Sequence, residues 1–300
     1  MIPLIDGDVL RYEIGSCGEY TDDDGNPVTR EFDFVSGLLN DRIALICEEV
    51  WADAPPLIFL TAEPELVRAY NRMYKFDPDF KPIEFEPNFR IKEATVKPYK
   101  GNRKNRERPY HYDALTHYML AHYDVRIAKG MEADDLMSHY QVHGRKETVI
   151  CSRDKDLRIT PGFHYGWPCG KQEPFKLQEV TSPGAIELVE KVDKNGKSSF
   201  TIKGTGLMFF ASQMLTGDTT DNIPGIPRWG AVKAYPWLTD EPYVSYTDLM
   251  QRVATAYYSH YGVFWHPRMT EQGRLLWMHH ELVGGKPVLW EVPADVKPQE

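Results

Sequence analysis

The chain is poor in cysteine and has no long apolar run. Only four cysteines occur among 300 residues, and no Cys-x-x-Cys pair is present, which argues against a zinc knuckle and a disulfide framework. No apolar run reaches about 18 residues, and the first five residues read as a strand rather than a charged leader. We therefore expect no membrane span, no signal peptide and a cytoplasmic location, with free thiols at Cys17, Cys47, Cys151 and Cys169.

The net charge of -9 disfavours nucleic acid as a partner, since phosphate binding depends on lysine and arginine. The charge is unevenly distributed, however. Seven Lys or Arg side chains and two Glu side chains lie between Lys92 and Arg108, so this stretch carries +5 and the remainder carries -14. One interpretation is a phosphate-binding segment beside an acidic site, and the alternative is a solvated surface loop.

Apolar runs alternate with helical patterns through the first half of the chain. This alternation predicts an α/β fold with a mostly parallel central sheet flanked by helices, whose ligands gather at the carboxyl ends of the strands. Residues 74–98 show no periodicity, whereas 205–283 predict a helical subdomain with helices near 245–260 and 270–282. Strands are predicted at 3–8, 56–61, 125–128 and 148–151, and helices at 34–50, at 110–122 and from 133 onwards.

Acidic residues recur at the ends of these predicted elements. Carboxylates a few ångströms apart repel one another unless cations neutralise them, and ligand sets made only of oxygen suit magnesium or manganese. Each group taken alone is common as a helix cap or a turn, and we expect Asp8 to be a cap. The groups are Asp6 with Asp8; Glu132, Asp134 and Asp135; Asp154 with Asp156; and Asp218 with Asp221.

The spacing within the groups would allow them to share cations. The outer acids of Glu-Ala-Asp-Asp are three apart and fall on one side of a starting helix. The two acids of Asp-Lys-Asp project to the same side of an extended segment. The two acids of Asp-Thr-Thr-Asp again have a helix-compatible spacing, and they could close the site from the helical half. Two divalent ions held in this way can hydrolyse phosphodiesters.

These motifs together resemble the 5′-nuclease (flap endonuclease) superfamily, in order and spacing. The length and C-terminal layout are most similar to those of the stand-alone 5′-to-3′ exonucleases of tailed bacteriophages. The resemblance spans roughly residues 2–235 and implies a PIN-like domain with a helical arch, followed by a helix-hairpin-helix-type C-terminal region. The matching motifs are Asp6-Gly7, Tyr99-Lys-Gly-Asn-Arg103, Glu132-Ala-Asp-Asp135, Ser152-Arg-Asp-Lys-Asp156 and Gly217-Asp-Thr-Thr-Asp-Asn-Ile-Pro-Gly225.

The resemblance implies a role for each matching residue. Two Mg²⁺ or Mn²⁺ ions would bind, one at Asp6, Glu132, Asp134 and Asp135, and the other near Asp218 and Asp221. Asp154 and Asp156 would bridge the two ions, and Lys100 and Arg103 would steady the scissile phosphate from the arch. Nucleic acid would contact Tyr99, by stacking on a base, and also Lys100, Arg103, Lys104, Arg106, Gly225, Gly230 and Lys233.

The implied domains are a catalytic domain at 1–204, with a basic arch at about 89–122, and a duplex-binding subdomain at 205–300. A helix-turn-helix variant at about 214–240 would hold duplex backbone and a potassium ion. The sequence departs from the family at three places. Only Glu63 stands near the position of an expected Asp after the second strand, the segment before the arch is long, and Arg228-Trp229 replaces smaller residues.

The expected function is that of a metal-dependent 5′-to-3′ exonuclease or flap endonuclease. It would act at 5′ ends, nicks or flaps of duplex DNA in phage DNA replication and recombination, and the family extends this to RNA primers in RNA–DNA hybrids. One alternative is a PIN-type endoribonuclease, which would prefer single-stranded RNA and would not need the helical half. The other is a non-catalytic DNA-binding protein, which leaves the clustered carboxylates unexplained.

Overall fold

A six-stranded sheet forms the centre of the molecule. The computed structural model describes residues 1–103, 107–144, 147–170 and 172–299. Its sheet has the order β5-β4-β1-β6-β7-β8, and every neighbouring pair is parallel except β7 and β8. The strands are β1 (Ile2–Asp6), β2 (Glu19–Thr21), β3 (Pro27–Thr29), β4 (Leu57–Thr61), β5 (Asp124–Ala128), β6 (Thr148–Cys151), β7 (Gly162–Gly166), β8 (Phe175–Val180), β9 (Ala185–Val192), β10 (Ser198–Thr205), β11 (Leu282–Val283) and β12 (Lys286–Pro287).

Helices cover both faces of this sheet, so the predicted α/β class is confirmed. None of the helices in the described part of the chain is long and apolar enough to cross a membrane. The helices are α1 (Gly7–Cys17), α2 (Phe32–Glu49), α3 (Pro64–Tyr74), α4 (Phe89–Glu93), α5 (Tyr112–His122), α6 (Ala133–Gly144), α7 (Gly206–Thr216), α8 (Ala231–Thr239), α9 (Tyr246–Tyr261) and α10 (Trp265–Leu276).

The central strands are buried on both sides, as their continuous apolar sequences predict. Successive side chains of a strand point to opposite faces, so Leu4 and Ile5 of β1 enter different apolar clusters. The Ile5 cluster packs the sheet against α1, α2 and α5. The Leu4 cluster also contains Phe59 and Ile150 and continues without a break into α7, α8, α9 and α10. The helical half therefore shares one core with the sheet, and the domain boundary at residue 204 stays a prediction.

The first strand is shorter than predicted. It ends at Asp6, and α1 begins at the next residue, within the stretch predicted as strand. The Asp6 carboxylate accepts a hydrogen bond from the backbone N–H of Val9, so Asp6 caps the helix. The expectation that Asp8 is the cap is wrong, because its carboxylate pairs with Arg11 and accepts the N–H of Thr61.

Local pattern missed several elements, among them β7 and β8, and placed one helix incorrectly. Helix α3 and the long hairpin β9–β10 were not predicted, and the predicted helix at 270–282 is α10, which starts at Trp265 and ends at Leu276. The described residues of the predicted arch form α4, one 3-10 turn at Gly101–Arg103 and α5, with irregular chain between them.

Gly7 tests the junction between β1 and α1. A Cβ at Gly7 would lie 2.6 Å from Leu60 Cδ2 and 2.8 Å from the Phe59 carbonyl oxygen. We expect Gly7→Ala to lower the free energy of unfolding by about 1–3 kcal/mol, since a packed core resists added volume. Urea denaturation measures the change.

Gly37 within α2 is the matched control, because a Cβ there would meet nothing within 4 Å. We expect Gly37→Ala to stabilise the protein by about 0.5–1 kcal/mol. Equal effects of the two substitutions would contradict the close approach of α1 to β4.

Candidate active site

Acidic side chains collect at one edge of the sheet. Strands β1, β4, β5 and β6 are parallel, so their carboxyl ends meet at the same edge. Asp6 is the last residue of β1, Glu132 and Asp134 lie at the start of α6 after β5, and Asp154 follows β6. The sheet therefore brings together groups that are far apart in the sequence.

The loop between α7 and α8 approaches this edge from the helical half. Gly217 and Gly225 both have positive φ, and their backbones are so close that a Cβ on Gly217 would lie 2.6 Å from the Gly225 nitrogen. We call this close approach of the two glycines the neck. It closes a turn in which Asp218 pairs with Ile223 through backbone hydrogen bonds. Asp218 and Asp221 therefore lie on a turn, and the helix-compatible spacing proposed for them is wrong.

The sheet edge and the turn meet around a small cavity. Six carboxylates line it, and we call them the acidic cluster: Glu132, Asp134, Asp154, Asp156, Asp218 and Asp221. A wider cleft of about 650 Å³ lies on the other side of Glu132, Asp134 and Asp154. The cleft is also lined by Asp6 and by four cationic side chains, Arg11, Lys100, Arg103 and Arg153. Three acids thus separate a closed acidic cavity from an open cleft of mixed charge.

Four carboxyl groups of this site resist ionisation, and one of them is Asp221, whose pKa is raised by burial. Burial, followed by repulsion from Asp8, raises the pKa of Asp6 to about 7. Burial, followed by repulsion from Asp154, raises the pKa of Asp156 to about 7 as well. Burial and the neighbouring carboxylates of Asp6 and Asp154 raise the pKa of Asp134 well above its ordinary value. These shifts mark a concentration of negative charge that the protein neutralises only in part.

Lysine side chains neutralise two other carboxylates of the cluster, those of Glu132 and Asp218. Lys100 Nζ lies 2.5 Å from Glu132 Oε1, and Lys155 Nζ lies 2.6 Å from Asp218 Oδ2. Burial alone would raise the pKa of Glu132, but Lys100 and Arg90 lower it below its ordinary value. Burial would likewise raise the pKa of Asp218, but Lys155 lowers it.

The carboxylate oxygens are turned towards these cations instead of towards one another. As they stand, no three acidic, histidine or cysteine side chains in the described part of the chain converge closely enough to hold a metal ion. The carboxylates are held apart by the ion pairs, because each lysine lies between two acids. Lys155 contacts Asp156 and Asp218, and Lys100 lies 2.5 Å from Glu132 and 3.8 Å from Asp221.

A short segment, which we call the strap (residues 98–103), closes one side of the cluster. The Lys100 N–H donates to the Asp221 carbonyl at 2.9 Å, and the Asn102 amide donates to the Thr219 carbonyl at 2.8 Å. Arg103 pairs with the Asp221 carboxylate. The Tyr99 hydroxyl lies 2.9 Å from one oxygen of Glu132 and one of Asp221. The predicted residues Tyr99, Lys100 and Arg103 therefore all reach the acids.

Asp135 does not face the cluster. Its two oxygens lie 2.5 and 2.9 Å from the guanidinium nitrogens of Arg90, and one of them also accepts the backbone N–H of His279 at 2.9 Å. Arg90 further donates to the carbonyls of Leu275 and Trp277. Because buried charges require such partners, Asp135 ties α6 to the end of α10, and we leave it out of the ligand set proposed below.

The other predicted residues lie at a distance from the acidic cluster. Glu63 is the residue before α3; it pairs with Arg108 at 3.0 Å and lines the wide cleft. Gly230 is the residue before α8, and Lys233 lies in the first turn of that helix, with its ammonium 4.0 Å from the centre of the Trp229 ring. The predicted contacts Lys104 and Arg106 lie outside the described residues.

Sequence reasoning missed two residues that hold the acids in place. The Ser152 hydroxyl donates to Asp6 Oδ2 at 2.6 Å and accepts the N–H of Asp154 at 2.9 Å, so it joins two predicted ligands. Gln213 of α7 donates to Asp156 Oδ1 at 2.6 Å. Ser152 stands within the Ser-Arg-Asp motif and could have been noticed there, whereas nothing in the sequence near Gln213 indicates its contact.

Comparison with known proteins finds similarity at the level of structure alone. No protein family model matches the chain, and no curated protein matches it. Among solved structures, it is similar to the bacteriophage T5 D15 protein co-crystallised with metal ions, with a TM-score of 0.44, 12% identity and coverage of 90% of this chain and 88% of the other.

Two further structures are similar to the same degree. The bacteriophage T5 D15 flap endonuclease, as a pseudo-enzyme–product complex with DNA and metal ions, has a TM-score of 0.44, 11% identity and coverage of 92% of this chain and 98% of the other. A mutant T5 5′-exonuclease has a TM-score of 0.45, 10% identity and coverage of 90% and 86%. Similarity at this level assigns no activity.

The raised pKa values predict an unusual pH dependence of stability. Asp6 and Asp156 have pKa values of about 7 in the fold against an ordinary value of 3.8. Between these limits the unfolded chain binds fewer protons than the folded one, so this contribution lowers stability as the pH rises from about 4 to about 7. Thermal unfolding in EDTA across this range measures it.

Asp134→Asn removes one of the crowded charges. We expect it to raise the melting temperature of the metal-free protein at pH 8 by about 2–4 °C, which corresponds to about 1 kcal/mol. Asp41→Asn, on the exposed side of α2, is the control and should change nothing. A lower melting temperature for Asp134→Asn would show that its carboxylate stabilises the metal-free fold.

Proposed function

We propose that the protein is a metal-dependent 5′-nuclease that hydrolyses phosphodiesters at 5′ ends, nicks or flaps of duplex DNA. The observation that supports this most directly is the crowding of Asp6 and the acidic cluster at the carboxyl edge of the sheet. Crowded carboxylates with raised pKa values are unfavourable in a merely structural role. They become useful when divalent cations bind between them.

The donor set fits hard divalent cations. The acids supply only oxygen ligands, which Mg²⁺ and Mn²⁺ prefer. The raised pKa values indicate crowded carboxyl groups, and a bound cation would stabilise their ionised form. Asp6, Glu132, Asp134 and Asp154 would hold one ion, and Asp156, Asp218 and Asp221 would hold the other. When bound, the two ions would activate water and stabilise the leaving oxygen.

The protein's own cations would act on the substrate. Lys100 and Arg103 lie at the border between the acids and the wide cleft, where their charges would contact the scissile phosphate once cations neutralise the acids. Arg11 and Arg153 line the same cleft and would neutralise further phosphates of the strand. Such contacts are independent of base sequence.

The helical half favours duplex DNA over single-stranded RNA. Helices α7 and α8 flank the turn that carries Asp218 and Asp221, so a duplex held there would end near the acids. The first turn of a helix presents backbone N–H groups that suit phosphate, and Gly230, the residue before α8, is exposed. A potassium ion at this motif, the RNA strand of a hybrid as substrate and a role in phage replication and recombination belong to the same proposal.

The central experiment uses a nicked duplex labelled at the 5′ end of the downstream strand, with a second sample labelled at its 3′ end. We expect Mg²⁺-dependent early release of short 5′-labelled products, since attack begins at the 5′ end. EDTA should abolish cleavage, and the double variant Asp154→Asn, Asp156→Asn should lower the rate by at least about 100-fold.

Asp41→Asn again serves as the matched control and should cleave like the wild type. If the duplex is bound but stays intact with Mg²⁺, the protein is a DNA-binding protein without this activity. If single-stranded RNA is cut in preference, the endoribonuclease alternative replaces the proposal.

Lys233 tests the duplex contact separately from the chemistry. Loss of one phosphate contact should weaken binding of any duplex sequence to a similar extent and reduce the slope of log K against log [salt] by about 1. We expect this for Lys233→Gln, measured by fluorescence anisotropy with EDTA present. Lys75→Gln, at the end of α3, should keep the wild-type slope, and a Lys233 variant that does so too would remove α8 from the proposed interface.

A further inference from the structure

Lys155 has a position that its place in the sequence does not explain. It lies between two proposed metal ligands along the chain, and its ammonium also lies between two of them in space, 2.8 Å from Asp156 Oδ1 and 2.6 Å from Asp218 Oδ2. These are two of the three acids assigned above to the second cation. A lysine at this place opposes cation binding unless it can leave.

The surroundings of Lys155 favour such a departure. The Asp218 side chain is 4% exposed and the Asp156 side chain 17% exposed, whereas that of Lys155 is 49% exposed. The two acids are thus held in the protein, and Gln213 holds Asp156 by a separate hydrogen bond. Because Lys155 is the most exposed of the three side chains, its ammonium can move into water by rotation of the side chain alone.

We propose that Lys155 is a built-in counter-cation, which occupies the place between Asp156 and Asp218 in the metal-free protein and must be displaced when the second divalent cation binds. The proposal rests on the metal site of the proposed function. Two consequences follow from this competition. Lys155 stabilises the metal-free fold by neutralising buried acids, and it weakens the second cation site relative to the first.

The two lysines of the site differ in what displacement would achieve. Lys100 also contacts two acids, but it lies on the strap and borders the substrate cleft, where its release would place it at the phosphate. Lys155 does not line the wide cleft. Its release serves cation binding alone, and its removal should therefore improve that binding.

The test is a titration with Mn²⁺, followed through the electron paramagnetic resonance signal of the free ion. Lys155→Met keeps most of the aliphatic stem and removes the charge. We expect this variant to bind the second Mn²⁺ at least about tenfold more tightly than the wild type, with the first site little changed. Lys155→Arg should behave like the wild type, as should Lys194→Met in the exposed hairpin turn.

Thermal unfolding in EDTA gives a second readout. Lys155→Met should melt at a lower temperature than the wild type without metal, and Mn²⁺ should raise its melting temperature by a larger amount. Lys155→Gln replaces the methionine variant if that variant does not fold.

The failures are distinguishable. If the wild type binds two Mn²⁺ ions and loss of the lysine leaves the second affinity unchanged or weaker, the counter-cation is disproved and the nuclease proposal stands. If neither the wild type nor the variants bind Mn²⁺, the metal site itself is disproved, and both proposals fall with it.

Discussion

Mutual repulsion among carboxylates at one edge of the sheet is the constraint on which the rest of this structure depends. Asp6, Asp134 and Asp156 keep raised pKa values because they are buried and lie beside other carboxylates. Lys100 and Lys155 lower the pKa values of the neighbouring Glu132 and Asp218 against the effect of burial. The strap, the turn after α7 and the buried Arg90–Asp135 pair are all positioned around this excess of charge. A protein retains such an arrangement where the electrostatic strain is useful, since cations relieve it on binding.

The parallel sheet makes this concentration possible. Consecutive strands that run in one direction deliver whatever follows them to the same edge, so residues about 150 positions apart, such as Asp6 and Asp154, meet through Ser152. The Asp218 turn arrives by a different route, because the tight neck between Gly217 and Gly225 projects it from the helical half. Two independent pieces of backbone therefore form the site, and its geometry depends on how well the core between them is packed.

The sequence predicted the features that rest on pattern. Short apolar runs of the type found in β1, β4 and β6 are typical of buried strands, and this assignment places the acids that follow them at the strand ends. The failures have physical causes as well. Asp6 caps α1 in place of Asp8, which is decided by the backbone angle at the end of the strand. Asp135 turned inward because Arg90, 45 residues away, offered it a bidentate partner. The spacing of residues along the sequence cannot reveal an ion pair between distant segments. For the same reason the sequence did not predict the position of Lys155.

The apolar cluster that runs from Leu4, Phe59 and Ile150 into α7 to α10 has a mechanical consequence. A core shared in this way allows little independent motion of the two parts that it joins. The distance between the surface of α8 and the acidic edge of the sheet is therefore fixed. A duplex bound at α8 would place the same phosphodiester bond at the acidic edge in every binding event. The length of the released fragment would then be set by the distance between these two parts of the protein.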